Sequence, residues 1–306
     1  MGYSMVEPHA APSMTIRELL REPYVVTDGA WGTRLQAAGL PIGACPDPWN
    51  AEHPDRVEEV ASAYADAGSR ILLTNTFRAN RIAMQGTVWE SSIDELNRRG
   101  VAISRRAAAG RALVFGSIGP SGKILMTGEV SADALGDAFR EQAAALASAG
   151  ADALVIETMS DLDEARIAVD AARSTELPVA VCMVFDSGTR HDRTMMGRTP
   201  EQCAEALTIA GADIVGANCG QGIEGFVEIG RRLRSATDRP IWIKANAGLP
   251  ETNGHAMRYP GTPRQFADAV PSLIDAGVTF LGGCCGTTPE HITALGRSLA
   301  EYFRAA

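Results

Sequence analysis

From Tyr24 onward, two patterns of apolar and polar positions alternate along the chain. Short runs rich in β-branched and other apolar residues occur at 24–27 (YVVT), 70–74 (RILLT), 112–118 (ALVFGSI), 153–157 (ALVIE), 179–185 (VAVCMVF), 213–218 (DIVGAN), 241–245 (IWIKA) and 279–283 (TFLGG). Runs this short predict strands. Between them lie Ala-rich amphipathic stretches such as PDRVEEVASAYADAG (54–68), ALGDAFREQAAALASAG (134–150) and PRQFADAVPSLIDAG (263–277). Each ends at the glycine expected just past a helix C-terminus. Strict alternation of strands and helices requires parallel pairing, and eight units match a closed (β/α)8 TIM barrel, an α/β fold, better than an open sheet. TIRELLRE (15–22) predicts one more short helix ahead of the first strand.

Length agrees, since such barrels run to about 250 residues as one domain and this chain has 306. No compositional break divides residues 15–306, which are expected to form a single barrel domain. Residues 1–14, with Pro8 and Pro12 and no periodicity, are expected to be a flexible tail. With 45% hydrophobic and 21% charged residues the chain is ordinary globular protein, which excludes disorder and fibres. Its net charge of -9 lacks the basic face that phosphate neutralisation needs, so nucleic acid is not an expected partner. No apolar run approaches the ~20 residues of a membrane span, and the first residues lack the pattern of a secretory signal. A membrane is therefore not an expected partner, and the expected location is cytoplasmic. In that reducing setting six cysteines point to metal binding, catalysis or burial rather than disulfides.

Barrel chemistry sits on the face where the strands end. Asp28-Gly29 follows the first run, Asn75-Thr76-Phe77 the second, Glu157-Thr158 the fourth, Asn218-Cys219 the sixth, Asn246-Ala247-Gly248 the seventh and Cys284-Cys285-Gly286 the eighth. The segments around Cys45–Asn50 and 186–200 are expected to be the long loops. Cys219, Cys284 and Cys285 thus come to one rim from the sixth and eighth strands, and their spacing is not that of a zinc ribbon, which needs two local pairs. Three thiolates form a soft site that prefers Zn2+ to Mg2+ or Ca2+ and leaves a fourth position for substrate. A vicinal disulfide, a redox pair or simple burial are the other readings of this cluster; Cys182 and Cys203 read as packing. Asp28 and Glu157 suit an ammonium group, as in an amino acid, or alternatively the start of a helix. Asp161 already serves the turn after Glu157. The turn 28–33 opens a helix whose N–H groups can hold a carboxylate. Gly119–Lys123 lacks the spacing of a phosphate loop, and the five histidines form no metal-binding pattern, so they are expected at the surface or at helix ends.

The segments DGAWGT (28–33), TNTF (74–77), GANCG (216–220), ANAGLP (245–250) and GGCCGTTPEHI (282–292), in this order, resemble the homocysteine S-methyltransferase family over roughly residues 24–300. The resemblance implies Cys219, Cys284 and Cys285 as zinc ligands, with Asn246 occupying the metal before substrate arrives. It implies Asp28 and Glu157 as partners of the homocysteine ammonium, with Gly29, Ala30 and Thr76 holding the substrate carboxylate and backbone. Two positions depart from the family pattern: Lys244-Ala245 stands where a polar-Pro pair is usual, and Trp31 replaces a smaller or unbranched residue. Neither departure is expected to touch a ligand.

The expected activity is therefore zinc-dependent methyl transfer to homocysteine, giving methionine. A non-catalytic zinc or redox thiol module serving a partner protein is the competing reading. The chain has no length for a corrinoid or folate domain, so the methyl donor is expected from outside. Trp49 matches a loop tryptophan that contacts betaine in related enzymes, and Trp31 offers a second aromatic face, which favours a small onium donor, betaine or a methylsulfonium. Asn80 and Thr158 stand where a complete cage has tyrosines, which leaves a methylcorrinoid protein in trans as the other donor.

Overall fold

The eight runs form eight strands: β1 (Val25–Val26), β2 (Ile71–Leu73), β3 (Leu113–Ile118), β4 (Ala153–Met159), β5 (Val179–Met183), β6 (Ile214–Gly222), β7 (Ile241–Asn246) and β8 (Val278–Gly283). The computed structural model describes residues 15–252 and 257–305; the expected tail, residues 1–14, lies outside them, as do His9 and His255. The strands pair in parallel in the order β1-β8-β7-β6-β5-β4-β3-β2. A single parallel bridge, Thr27 to Ile71, closes the ring between β1 and β2. It is flanked by Arg70 N–H donating to Val26 O (2.8 Å) and Asp28 N–H to Ile71 O (3.2 Å). This is the expected TIM barrel.

Period-two alternation explains the interior. Leu113 and Phe115 of β3, Ala153 and Val155 of β4, Ala180 and Cys182 of β5, Trp242 of β7 and Phe280 of β8 share one apolar cluster, joined by Leu19 of the short helix Ile16–Leu19. Residues of opposite parity, among them Val114, Leu154, Val181, Val215, Ile243 and Leu281, pack outward against the helices. One step further along the inward series the chain places Ser117, Glu157 and Lys244. Apolar filling ends there and polar chemistry begins.

Helix ends follow local rules. Thr199 with Gln202 and Thr262 with Gln265 form capping boxes ahead of prolines at the first helical turn. Asp161 caps the helix Leu162–Arg173 as expected, accepting from Asp163 N–H at 2.9 Å. His291 closes the start of the last helix, contacting Thr288 and Gly261 O. The 45–50 and 186–200 segments lie after β1 and β5, and a third long connection, 74–92, follows β2. Among the described residues no helix is long and apolar enough to cross a membrane.

Close packing leaves particular positions without room for a Cβ. At Gly216 of β6 it would lie 2.0 Å from the Trp242 carbonyl oxygen on β7, backbone that cannot step aside. Gly216→Ala is expected to lose about 3 kcal/mol in urea unfolding. Gly296→Ala, in the interior of the last helix with its nearest neighbour 3.8 Å away, is expected to gain up to about 1 kcal/mol.

Candidate metal and substrate site

Because β7 lies between β6 and β8, the ends of three adjacent strands supply Cys219, Asn246 and Cys284-Cys285. The three Sγ atoms all lie within 4.8 Å of one another. A bulge aims the first of them. The register of β6 against β7 shifts between Asn218 and Gly222, and Cys219 (φ 62) and Gly220 (φ 78) are left-handed. Thr158 (φ 61), at a matching shift in β4, is a β-branched residue in the same unfavourable region. Asn218 ties the two bulges together: its Oδ1 accepts from Thr158 N–H at 2.8 Å and its Nδ2 donates to Thr158 Oγ1 at 2.7 Å, with Cys284 Sγ 3.6 Å away.

Hydrogen bonds from Cys284 and then Cys285 favour a thiolate on Cys219 and pull it below the ordinary thiol range. The same bonds hold Cys284 and Cys285 above it. A soft cation at this cluster would draw the protons from all three thiols. Asn246 also bonds to Cys219, yet its buried Oδ1 has no partner. Three convergent sulfurs and an unpaired amide oxygen fit a tetrahedral thiophilic metal. All six cysteines are free, and Cys182 and Cys203 are fully buried as packing.

The turn after β8 is stitched to the turn after β1. Ala30 N–H donates to Thr287 Oγ1 (3.0 Å), Thr287 Oγ1 donates to Cys284 O (2.8 Å), and the buried Tyr64 hydroxyl reaches Ala30 O (2.7 Å) and Thr287 O (3.2 Å). A Cβ at Gly286 would lie 2.2 Å from the Tyr259 ring, whose hydroxyl hydrogen-bonds Cys285. Glycines flank the two cysteines because neighbouring side chains lie against their backbone.

The two expected ammonium partners are both present and both already engaged. Asp28 is fully buried; its Oδ2 accepts from Leu73 N–H (2.7 Å) and Trp31 Nε1 (2.8 Å), while its Oδ1 has no partner. It does not cap a helix. Glu157 accepts from Ser117 Oγ at 2.5 Å and forms an ion pair with Lys244 Nζ. Burial works against the Lys244 ammonium, but Glu157 together with Cys182 and Cys284 outweighs it and holds Lys244 above its ordinary value. Lys244 and Trp31, the two departures from the family pattern, contact Glu157 and Asp28, neither of which is an expected zinc ligand. Strand parity accounts for Lys244, two positions beyond the inward Trp242, whose ring lies 4.9 Å from Nζ.

A cavity of about 300 Å³ opens over the sulfurs, lined by Gly29, Ala30, Trp31, Phe77, Glu157, Lys244, Cys219, Cys284 and Cys285 among others. Thr76 is not on its wall; its hydroxyl is spent on Ser117 O (2.8 Å) and Thr74 (2.6 Å). Trp49 is also outside the lining, 6% exposed, with His53 against its ring at 4.7 Å and the Arg56 guanidinium at 5.7 Å. Its loop is drawn inward by Asp47, which accepts from Arg78 N–H, and by the paired amides of Asn50 and Asn75. Asn80 is buried, its Oδ1 accepting from Ala83 N–H at 2.8 Å.

The homocysteine S-methyltransferase family model matches residues 25–299. The chain belongs to this family. It is 32% identical to methionine synthase of Mycobacterium tuberculosis over 94% of its length, and 31% identical to that of Mycobacterium leprae over 93%. The chain spans about a quarter of the length of these relatives. The metallated form of the homocysteine methyltransferase MmuM from Escherichia coli superposes with a TM-score of 0.75 at 25% identity, over 90% of this chain and 96% of that one.

In this homocysteine S-methyltransferase family member, burial pushes the Asp28 carboxyl from 3.8 up to about 7 despite its hydrogen bonds to Leu73 and Trp31. The folded chain therefore holds a proton that the unfolded chain has lost. The associated stability is complete below about pH 4 and disappears as pH rises through about 7. Asp28→Asn removes that dependence. In urea unfolding, the wild-type midpoint is expected to fall relative to the variant's between pH 4 and 7, and parallel curves would show an unshifted carboxyl.

Proposed function

We propose that the protein transfers a methyl group to the thiol of L-homocysteine, giving L-methionine, with Zn2+ held by Cys219, Cys284 and Cys285. The observation that carries this reading is the convergence of three sulfurs on the floor of a cavity of amino-acid size, with Glu157 and the Gly29–Ala30 turn in its wall. Zinc bound by three thiolates supplies an open fourth position at which a thiol is deprotonated at neutral pH. Asn246, hydrogen-bonded to Cys219 and carrying an unpaired Oδ1, would satisfy that position until substrate arrives. The family resemblance assigns the substrate ammonium to Asp28 as well, whose unpaired Oδ1 lies buried outside the cavity lining. Ala30 N–H is committed to Thr287, so the carboxylate falls to the unbonded Gly29 N–H. Lys244 sets a fixed cation near Cys284 and offsets negative charge gathered on sulfur. The substrate sulfur attacks the donor methyl in line; the S–CH3 bond forms as the donor's bond to that methyl breaks, and the donor leaves with the electron pair.

Trp31 and Phe77 give the cavity an aromatic wall suited to a small onium donor, betaine or a methylsulfonium. The likeness to methionine synthases supports a methylcorrinoid protein in trans as the other donor. Six free cysteines and a site that works only with reduced thiols support a cytoplasmic setting.

Cys219→Ala, Cys284→Ala and Cys285→Ala are each expected to reduce zinc from about one per chain to below about a tenth, measured by metal analysis after gel filtration. Their circular dichroism should stay that of the wild type, because the sulfurs sit above the packed interior. A variant that keeps full zinc removes its cysteine from the ligand set. Zinc-loaded protein given homocysteine and each donor in turn is expected to form methionine from an onium compound or from methylcobalamin. Zinc binding without methionine from any donor would favour the non-catalytic module.

A further inference from the structure

Glu157 faces the cavity with a partner already on each oxygen. One accepts the Ser117 hydroxyl at 2.5 Å and the other is ion-paired with Lys244 Nζ. The lysine is built into the floor: it is 1% exposed, its stem rises from β7, and the Trp242 ring lies beneath its ammonium at 4.9 Å. An ammonium brought in by a ligand would meet a carboxylate already neutralised, with a like charge fixed beside it. Attraction to Glu157 is thereby cancelled at a range where charges in a dry site interact strongly. The other acidic side chain, Asp28, is fully buried and outside the cavity lining, its Oδ2 holding Leu73 N–H and Trp31 Nε1.

We propose that Lys244 is a specificity-determining residue: it takes, from within the chain, the place of a substrate ammonium beside Glu157, so that the site accepts mercaptocarboxylates lacking an α-ammonium alongside homocysteine. This rests on the reading of the site as a thiol methyltransferase and widens its acceptor class. With 4-mercaptobutanoate the thiol proton passes to solvent, the sulfur gains the methyl, the donor's bond to that methyl breaks with the electron pair staying on the donor, and 4-(methylthio)butanoate results. The acid is recognised by its thiol and carboxylate, groups it shares with homocysteine.

The test uses the full chain loaded with Co2+ in place of Zn2+, whose visible absorption changes when a further sulfur binds. Homocysteine and 4-mercaptobutanoate are titrated separately, and methylation of each by the zinc form is followed in parallel. The two wild-type Kd values are expected to lie within about tenfold, since Glu157 is already ion-paired and Asp28 is buried outside the cavity lining, so neither gives the homocysteine ammonium a charge-assisted bond. Lys244→Gln frees the carboxylate and is expected to shift the ratio toward homocysteine by about tenfold or more. Should that variant fail to fold, the wild-type ratio alone decides. A wild-type preference for homocysteine beyond tenfold overturns the wider acceptor class, and an unshifted ratio in a folded Lys244→Gln overturns the role of Lys244. Either result leaves homocysteine methylation standing. Absorption that responds to neither thiol overturns the methyltransferase reading and this inference with it.

Discussion

Closure of the barrel is the constraint from which everything at the site descends. Cys219 and Cys284 are 65 residues apart in sequence, and no local turn could bring their sulfurs together. The ring does so by placing β6 and β8 on either side of β7, so that three strand ends contribute to one small volume. The apolar interior below, with Trp242 packed against both Phe115 and Phe280, fills the ring beneath the thiols.

Local strain refines what closure makes possible. Left-handed backbone at Thr158 and Cys219 costs on the order of 1–3 kcal/mol per residue, and the barrel holds both with the side chain of Asn218. That amide joins the carboxylate side of the cavity, on β4, to the sulfur side, on β6. Lys244 does the corresponding electrostatic work, paired with Glu157 and close enough to Cys284 to feel its charge. The sulfur cluster and the cavity wall thus share their supports, and a change in either is felt by the other.

The barrel was legible because eight short apolar runs separated by amphipathic helices admit few other folds, and the thiol triad because residues at strand ends share a rim. Asp28 and Glu157 could be placed on the same argument. Partnership was harder to see. In the sequence Lys244 stands out only as a departure from the family pattern that touches no ligand, although parity with Trp242 on the same strand sends its side chain inward to Glu157. Thr76 and Trp49 were assigned to substrate from motif position, whereas Ser117 O claims the hydroxyl of one and the Asn50–Asn75 amides draw the loop of the other into the protein. Nothing in the sequence pattern announces the left-handed turns at Thr158 and Cys219 or the approach of Tyr259 to Cys285, because these depend on register shifts and on a loop folding back from a distant part of the chain.

The seam between β1 and β2 has a consequence for how the molecule breathes. Elsewhere neighbouring strands share at least two paired positions; here one bridge joins them, and Leu73 N–H turns for its acceptor to the side chain of Asp28. A carboxylate stands in for a rung of the ladder. Whatever perturbs the Asp28 side chain perturbs that rung, so the state of this buried carboxyl and the resistance of the seam to opening are thermodynamically linked. The side chain acts as a clasp on the barrel, and amide exchange in β2 becomes a record of how often the clasp opens.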